Sequence, residues 1–428
     1  MKALRIAAII AIPFVLAALA IGFFLFERQG GFAPYRVPDD NGRSVASDTA
    51  TLQRGEYLAR IGDCAACHTA PGGAAYAGGR GFATGWGMIY SSNLSSDAQH
   101  GIGAWSRAEF AHAMRHGVSR RGPLYPVFPY EHFATLADAD IDAIFAWLRR
   151  VPANANVPPP NRLDFPASRR SALVLWRMLY YRPEAQAPAA ASEDRGRYLV
   201  DGLGHCAMCH STREAGGALA VDGYLAGGRI PGSGWYAPPL DAKQLQRYSV
   251  EQLATYLRSG ASDHGAAYGP MAEVVYRSLQ ALTGDDALAM ARYLKSVPAR
   301  PRRDAPFTLL PEPAQRSIAA SGAEVYKRNC ADCHGKDGEG KSGEYPALRD
   351  AVATTAPDPI NAVRMVLYGG FPAATAGNPL PHSMPPFVQQ LGPAEIAAVT
   401  NYVRENFGGQ RSYLTAADVE AMHGIVLD

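Results

Sequence analysis

The sequence CAACH at positions 64–68 decides the fold of this chain, because the same arrangement returns twice. CAMCH occupies positions 206–210 and CADCH occupies positions 330–334. Each copy contains two cysteines separated by two residues and followed at once by a histidine. The chain has six cysteines in total, so the three copies account for all of them. We therefore treat the three copies as one kind of site.

This spacing is the attachment pattern of haem c. Two thiols add to the two vinyl groups of one porphyrin, so they must lie about one helical turn apart, and the adjacent histidine then ligates the iron. The competing interpretations are a disulfide framework, a thioredoxin-like pair and zinc, but a zinc site requires four tetrahedral ligands and not a histidine at one fixed offset. The sequence predicts three covalently bound haems c. The predicted thioether residues are Cys64, Cys67, Cys206, Cys209, Cys330 and Cys333, and the predicted proximal ligands are His68, His210 and His334.

The sequence around each motif also repeats. RGEYL at 54–58, RGRYL at 195–199 and SGAEVY at 321–326 each precede a motif and predict a short helix with one apolar face. Helical patterns at 138–149, 284–295 and 393–406 close the three segments. In the first of these, a buried stripe is predicted for Ile141, Ile144, Phe145 and Leu148. Helix, motif, long loop and closing helix is the layout of a small cytochrome c domain.

Proline-rich segments separate the three repeats and are expected to be extended spacers. The predicted organisation is a membrane anchor or signal sequence (1–30), cytochrome c domains (50–151, 193–298 and 318–408), linkers (152–192 and 299–317) and a tail (409–428). The first linker contains a short apolar helix at 171–181, which we expect to pack on a neighbour; contact with a membrane surface is the alternative. The fold class is thus mainly α, with three tandem class I cytochrome c domains behind an N-terminal transmembrane helix.

The N-terminus contains an uncharged apolar run at 6–26, preceded by Lys2 and Arg5. Such a run is about long enough to cross a bilayer, and positive charge before it places the N-terminus in the cytoplasm. A cleaved signal peptide is the alternative, since Ala18-Leu19-Ala20 resembles a cleavage site. Both interpretations place the haem domains in the periplasm, and the anchor would hold them at the inner membrane.

A sixth iron ligand is expected from the long loop of each segment, commonly methionine or histidine. In the third segment Met384 lies between prolines in PHSMPP, with Met365 as its rival in a helical run at 360–368. In the second segment Met271 follows YGP, whereas Met290 lies in the closing helix, where a core role is expected. We predict Met271 and Met384 as distal ligands.

The first segment departs from this pattern in LYPVFPYEHF at 124–133. Phe128 occupies the position at which the second segment has Met271, and phenylalanine cannot ligate iron. His132, on the same loop, is the preferred substitute, and an open or water-bound iron is the main alternative. The remaining candidates are Met88, Met114, His100, His112 and His116. A first haem without thioether ligation should differ from the others in potential and spectrum.

Composition excludes several other function classes. The net charge of +2 gives no basic face for nucleic acid. The apolar fraction of 47% is enough for globular cores. The sequence contains no nucleophile elbow, phosphate loop or Rossmann glycine pattern, and the glycine pairs at 72–73, 78–79 and 227–228 are expected to line the haem loops.

With these motifs in hand, the chain resembles the membrane-bound three-haem cytochrome c subunits of bacterial periplasmic dehydrogenases, over residues 50–407. The resemblance rests on the three CxxCH motifs, on YSSN at 90–93 with GIGAWS at 101–106, on LYPVFPY at 124–130 and on NRLDFP at 161–166. In the branch that serves alcohol and gluconate dehydrogenases the first-domain loop has Met where this chain has Phe128. The branch that serves molybdenum hydroxylases, acting on aldehydes or N-heteroaromatics, resembles PVFPYEHF more closely.

The resemblance implies an electron-transfer subunit and not an enzyme. Its expected partners are a periplasmic dehydrogenase, with a molybdenum hydroxylase favoured over a quinoprotein or flavoprotein alcohol or sugar-acid dehydrogenase, and ubiquinone or a terminal oxidase as acceptor. Two further hypotheses remain open at this point. An open first haem would allow a peroxidase-like enzyme, and an anchored cytochrome c chain would suit a terminal oxidase subunit.

Overall fold

A computed structural model describes residues 44–181, 194–300 and 312–423, except positions 342 and 412, together with Asp40 and scattered positions between 13 and 24. The apolar run 6–26 and its predicted role as an anchor therefore lie largely outside the described residues. Within those residues, no helix combines the length and the apolar character needed to cross a membrane.

The chain divides into two compact units. The first contains residues 1–56 and 68–190, and the second contains residues 57–67 and 191–428. The division passes through the first CxxCH motif, between Cys67 and His68. The second and third motifs both lie in the second unit.

The first part of the chain is mainly helical, with a few short strands. Its helices are α1 (Thr49–Ile61), α2 (Cys64–Cys67), α3 (Arg107–His116), α4 (Tyr130–Phe133), α5 (Asp138–Leu148) and α6 (Arg170–Tyr180). Its strands are β1 (Gly81–Thr84), β2 (Gly87–Tyr90), β3 (Val118–Ser119), β4 (Gly122–Pro123) and β5 (Arg162–Leu163). Strands β1, β2 and β5 form one antiparallel sheet, in which Gly81 pairs with Tyr90 and Gly87 with Leu163, and β3 pairs with β4.

Local sequence explains where α3 begins and ends. The Ser106 side chain accepts from the backbone N–H of Glu109, whose own side chain accepts from the N–H of Ser106. Gly117 ends the helix with φ +60°, a conformation that glycine adopts without strain. The predicted stripe on α5 is confirmed, since its four residues are each at most 3% exposed, and Phe145 stacks on Phe110 of α3 with ring centroids 5.0 Å apart.

The second unit contains two further copies of the arrangement of helix, CxxCH motif, long loop and closing helix. The helices of its first half are α7 (Arg195–Arg197), which continues as a π-helical turn (Tyr198–Leu203), α8 (Ala207–His210), α9 (Ala242–Leu245), α10 (Val250–Ser259), α11 (Pro270–Arg277) and α12 (Gly284–Ser296). The strands are β6 (Gly228–Ile230), β7 (Trp235–Ala237), β8 (Ala261–Ser262) and β9 (Gly265–Ala266), which pair as β6–β7 and β8–β9. The last helices are α13 (Glu312–Asn329), α14 (Ala331–His334), α15 (Val352–Thr355), α16 (Ile360–Tyr368), α17 (Pro393–Gly408) and α18 (Ala416–His423).

One glycine in each predicted N-terminal helix allows that helix to cross the closing helix closely. A Cβ added to any of the three would overlap a carbonyl oxygen of the closing helix. The pairs are Gly55 with Ala143, Gly196 with Ala289, and Gly322 with Ala398. The RG and SG dipeptides that repeat in the sequence therefore mark a helix crossing that occurs three times.

The sequence pattern did not predict α18, because residues 409–428 have the character of a tail. Leu414 and Val419 are fully buried, and Met422 is 7% exposed, in the same apolar cluster as α16 and α17. Asn401 of α17 fixes the approach to α18, since its side chain donates to Leu414 O and accepts from Leu414 N at 2.9 and 2.8 Å. Much of the C-terminal segment thus belongs to the apolar core that α16 and α17 help to form.

Candidate haem sites

Each predicted proximal histidine is oriented by a backbone carbonyl. His68 Nδ1 lies 2.7 Å from Ser92 O, His210 Nδ1 lies 2.7 Å from Pro238 O, and His334 Nδ1 lies 3.0 Å from Pro346 O. A carbonyl oxygen can only accept, so Nδ1 carries the proton in all three rings. The free electron pair is then on Nε2, the nitrogen that a proximal ligand presents to a metal.

Burial keeps these rings neutral. It lowers the pKa of His68, His210 and His334 below the ordinary histidine value, while the carbonyl partner opposes that change in each case. A neutral imidazole with a fixed tautomer and a fixed ring plane is the form that binds iron. The donor set of the three sites therefore fits haem c.

Each of the three histidines also forms a backbone hydrogen bond with a glycine. Its N–H donates to the carbonyl oxygen of the histidine, at 2.8 Å for Gly78 and His68, 2.9 Å for Gly227 and His210, and 2.8 Å for Gly340 and His334. All three glycines have positive φ, of 71°, 82° and 70°. We call this three-part arrangement of histidine, glycine and acceptor carbonyl the histidine clamp.

The clamp has no space for a side chain at its glycine. A Cβ on Gly78 would lie 2.5 Å from the carbonyl carbon of Ser92, the residue whose oxygen holds His68. A Cβ on Gly340 would lie 2.8 Å from the carbonyl carbon of Pro346, and one on Gly227 would lie 2.9 Å from the nitrogen of Pro239. In each clamp the glycine thus touches the peptide that orients the ring.

The cysteine pairs lie on single helical turns, as the predicted thioether bonds require. Cys64 and Cys67 are the two ends of α2. His210 N donates to Cys206 O at 3.0 Å, and His334 N donates to Cys330 O at 3.0 Å, so each histidine continues the turn that its first cysteine begins. All six thiols are free of disulfide bonds.

Among the described residues, no three His, Cys, Asp or Glu side chains converge as a metal cluster would require. The residues that could hold three haems c are the six cysteines and the three clamp histidines. Covalent haem needs only two thiols and one histidine from each motif, and each motif presents that set.

The predicted distal residues of the second unit lie at constrained positions. Met271 is in the first turn of α11, after Gly269 with φ +56°. A Cβ on Gly269 would lie 2.7 Å from the Trp235 ring, so only glycine allows the backbone to pass this close to the ring. Met384 forms a β-bridge with Gly370, in which each N–H donates to the other carbonyl, at 2.9 and 3.0 Å.

Met365, the rival of Met384, lies close to the same bridge. Its sulfur is 3.1 Å from the position that a Cβ on Gly370 would occupy. The assignment of Met384 as distal ligand stays a prediction, as does that of Met271. Met290 is 1% exposed in α12, in agreement with its expected core role.

The loop that raised the question of the first distal ligand is well packed. Phe128 contacts Phe133, with ring centroids 5.5 Å apart. His132 is in α4 and is 8% exposed. Of the other candidates, Met114 is buried in α3, whereas His116 is exposed. The assignment of His132 as an iron ligand stays a prediction.

Two groups of residues near these sites escaped the sequence-based predictions. The guanidinium groups of Arg364 and Arg404 are almost completely buried, and Arg364 lies 4.9 Å from the centroid of the Trp235 ring. Burial lowers the pKa of Arg404 to about 10, although its guanidinium donates to Ala356 O at 2.9 Å. Arginines on otherwise apolar helix faces are the signal that could have identified them.

Asn361 is the second kind of residue that was missed, because its partner is distant in sequence. It accepts from Tyr236 N at 2.9 Å and donates to Tyr236 O at 2.7 Å. Tyr236 is 2% exposed and belongs to the apolar cluster built mainly by α13, α16 and α17. Pro238, which orients His210, follows two residues later. Asn361 of α16 thus fixes the strand that leads into the second histidine clamp.

We expect Asn361→Ala to destabilise the second unit and to alter the second haem site. Both backbone groups of Tyr236 would lose a partner in a buried place, at a cost of about 1–3 kcal/mol each. The measurement is chemical denaturation of the holoprotein, followed by absorption and EPR spectra. Arg328→Gln is the matched control, since it removes an ion pair of 3.1 Å to Glu395 in which both side chains are exposed, and such pairs contribute about 0–1 kcal/mol. Equal losses from the two variants would contradict the assignment.

Comparison with known proteins gives two family models and several long relatives. The model described as cytochrome c matches residues 319–406, and the model described as cytochrome c oxidase, cbb3-type, subunit III matches residues 50–148. The gluconate 2-dehydrogenase cytochrome c subunit of Pantoea cypripedii is 39% identical over 398 residues, which cover 88% of this chain and 90% of that protein.

Two further relatives represent different enzymes. The cytochrome c subunit of the quinone alcohol dehydrogenase of Gluconobacter oxydans is 37% identical over 399 residues, covering 88% of this chain and 83% of the relative. A nicotinate dehydrogenase subunit of Pseudomonas putida is 39% identical over 390 residues, covering 88% of this chain but only 31% of that protein. Both branches suggested by the sequence motifs are therefore represented.

Proposed function

This chain belongs to the family of cytochrome c subunits of dehydrogenases, and from that premise we propose that it binds three haems c and conducts electrons from a dehydrogenase catalytic subunit to ubiquinone or a terminal oxidase. An electron-transfer role in a dehydrogenase complex is what its relatives share. The number of haems, the partner and the acceptor are our proposals.

The observation that carries the proposal is the threefold histidine clamp. Each bound haem c would supply an iron that takes up and gives up one electron at a time. The protein would hold that group by two thiols and a neutral histidine, and it fixes the histidine through a carbonyl and a glycine. The hydrogen bond from Nδ1 to the carbonyl raises the basicity of the imidazole and would thereby tune the potential of a bound iron.

For the partner, we favour a molybdenum hydroxylase that oxidises aldehydes or N-heteroaromatic compounds. The support is PVFPYEHF at 126–133, where Phe128 replaces the methionine expected in the alcohol and gluconate branch. A quinoprotein or flavoprotein dehydrogenase is the second candidate. It is favoured by the nearly full-length matches to gluconate and alcohol dehydrogenase subunits.

The proposed location is the inner membrane, with the haem-bearing part in the periplasm. Its support is the apolar run 6–26 behind Lys2 and Arg5 and the covalent haem sites.

The test is mild solubilisation, native purification of this chain, mass spectrometry of its partners and metal analysis. A large molybdenum subunit with a small iron–sulfur partner is the expected result. A quinoprotein or flavoprotein partner without molybdenum would overturn the branch and leave the electron-transfer role in place. Isolation with a copper–haem oxidase subunit and no dehydrogenase would overturn both.

We expect His132→Ala to open the first haem. If His132 ligates that iron, its removal leaves a five-coordinate site that binds carbon monoxide after reduction, and the wild-type protein does not bind it. The measurement is the difference spectrum with carbon monoxide, scaled to total haem.

His116→Ala is the control for this experiment, because His116 lies on α3 and is exposed. Carbon monoxide binding by the wild-type protein at one haem in three would contradict ligation by His132. It would instead support an open first haem, and peroxide turnover would then be the next assay.

A further inference from the structure

Helix α6 has an apolar outer face in addition to the face that packs on its unit. On the inner side Leu173 and Val174 are buried, and the Arg177 guanidinium lies 4.3 Å from the Tyr181 ring centroid. On the outer side Leu175 and Leu179 are each 54% exposed. The predicted packing on a neighbour is therefore confirmed for only one of the two faces.

The outer face carries no charge. Positions 171, 172, 175, 176, 178 and 179 lie on one side of the helix by the 3.6-residue period, and they read Ser, Ala, Leu, Trp, Met and Leu. The helix contains no acidic residue from Arg170 to Tyr180. Phe165, in the turn before the helix, is 81% exposed and adds a further aromatic ring near its start.

Positive charge collects at the N-terminal end of the same helix. Arg169 and Arg170 are exposed, and Arg170 Nη1 donates to Pro123 O at 2.7 Å. This contact brings the β3–β4 turn to the helix end, and that turn contains the exposed Arg121. The first unit therefore presents an apolar helix face beside a group of exposed guanidinium groups.

We propose that the outer face of α6 lies in the interfacial layer of an anionic phospholipid bilayer. A helix that lies in the membrane surface buries leucine and tryptophan among the acyl chains, while arginines bind the phosphates of the head groups. The lack of acidic residues on the helix and the arginines at its end favour lipid phosphate over an apolar protein groove. This contact rests on the proposed membrane location and deepens it.

The test uses the full-chain holoprotein with Leu175→Cys, in nanodiscs that contain phosphatidylglycerol. The native thiols are bonded to haem, so only the new thiol reacts with a membrane-impermeant maleimide. Alkylation of Leu175→Cys should be about tenfold slower than that of Val157→Cys, because the acyl region excludes the charged reagent. Val157 is the control, since it is an apolar side chain 64% exposed in the same unit. Equal rates would overturn the proposal.

Two further experiments identify what contacts the outer face of α6. A photoactivatable phosphatidylglycerol should form adducts on the peptide that contains position 175, and slow alkylation without such adducts would indicate a protein contact and overturn the proposal. Arg121→Gln/Arg169→Gln should raise the alkylation rate of Leu175→Cys in phosphatidylglycerol nanodiscs toward the rate in phosphatidylcholine nanodiscs. Equal alkylation rates of Leu175→Cys, with its arginines intact, in the two lipids would overturn the proposed role of the arginines.

Recovery of the chain with the nanodiscs reports membrane association separately. If the chain stays with the discs while the introduced thiol reacts freely, the proposed α6 contact is refuted and the proposed membrane location stands. If the chain does not stay with the discs, both the α6 contact and the proposed membrane location are refuted.

Discussion

The double variant Cys206→Ala/Cys209→Ala is expected to lose one of three covalently bound haems. Thioether bonds are the covalent attachment of haem c, and each CxxCH motif provides one pair of thiols. The haem-to-protein ratio, measured by the pyridine haemochrome assay, should fall from three to two. The second segment should also become less stable, because its core would lose the porphyrin that His210 and its clamp are shaped to hold.

Met208→Leu is the matched control for this variant. It changes the residue between the same two cysteines with little change in volume, so the ratio should stay at three. A wild-type ratio of two would refute the proposed haem number directly. An unchanged ratio in the double variant would show that the second motif does not attach haem.

We also expect Gly78→Ala to be among the most damaging small substitutions in the first unit. Alanine at φ +71° is strained, at about 1–2 kcal/mol. The new methyl group would also lie 2.5 Å from the carbonyl carbon of Ser92 and 2.7 Å from Asn93 N. Since Ser92 O orients His68, relief of the overlap moves the acceptor of the proximal ring. The combined loss should be about 3–5 kcal/mol.

Gly72→Ala is the control that separates the cost of backbone strain from the cost of the steric overlap. Gly72 has φ +68° but no atom within 4 Å of an added Cβ, so its substitution should cost only the backbone strain. The measurements are chemical denaturation and EPR of the oxidised holoprotein, in which only Gly78→Ala should shift the signal of the first haem. Equal losses and unchanged spectra would show that the clamp glycine does not position His68.

The sequence was sufficient for the elements that depend on local pattern. Helix α16 was predicted with its observed bounds, and the closing helices α5, α12 and α17 were predicted to within two residues at each end, because a 3.6-residue apolar period defines them. The family and its two branches also followed from short motifs.

The clamp could not be predicted, since it depends on loops of different length. The acceptor carbonyls lie 24, 28 and 12 positions after their histidines, at Ser92, Pro238 and Pro346. No fixed spacing therefore leads from a motif to its acceptor. The glycine pairs did indicate the region, but only the contacts distinguish Gly78, where an added Cβ would overlap the clamp peptide, from Gly72, where it would have no atom within 4 Å.

The reciprocal bonds of Asn361 and Tyr236 have a consequence for the order in which the protein matures. The two residues are 125 positions apart, and the chain is made from its N-terminus. Strand β7 is made before α16, so the two backbone groups of Tyr236 lack their Asn361 partner until α16 follows. Contacts so distant in sequence form late in folding. We therefore expect the second histidine clamp to be completed only after α16 has folded onto β7.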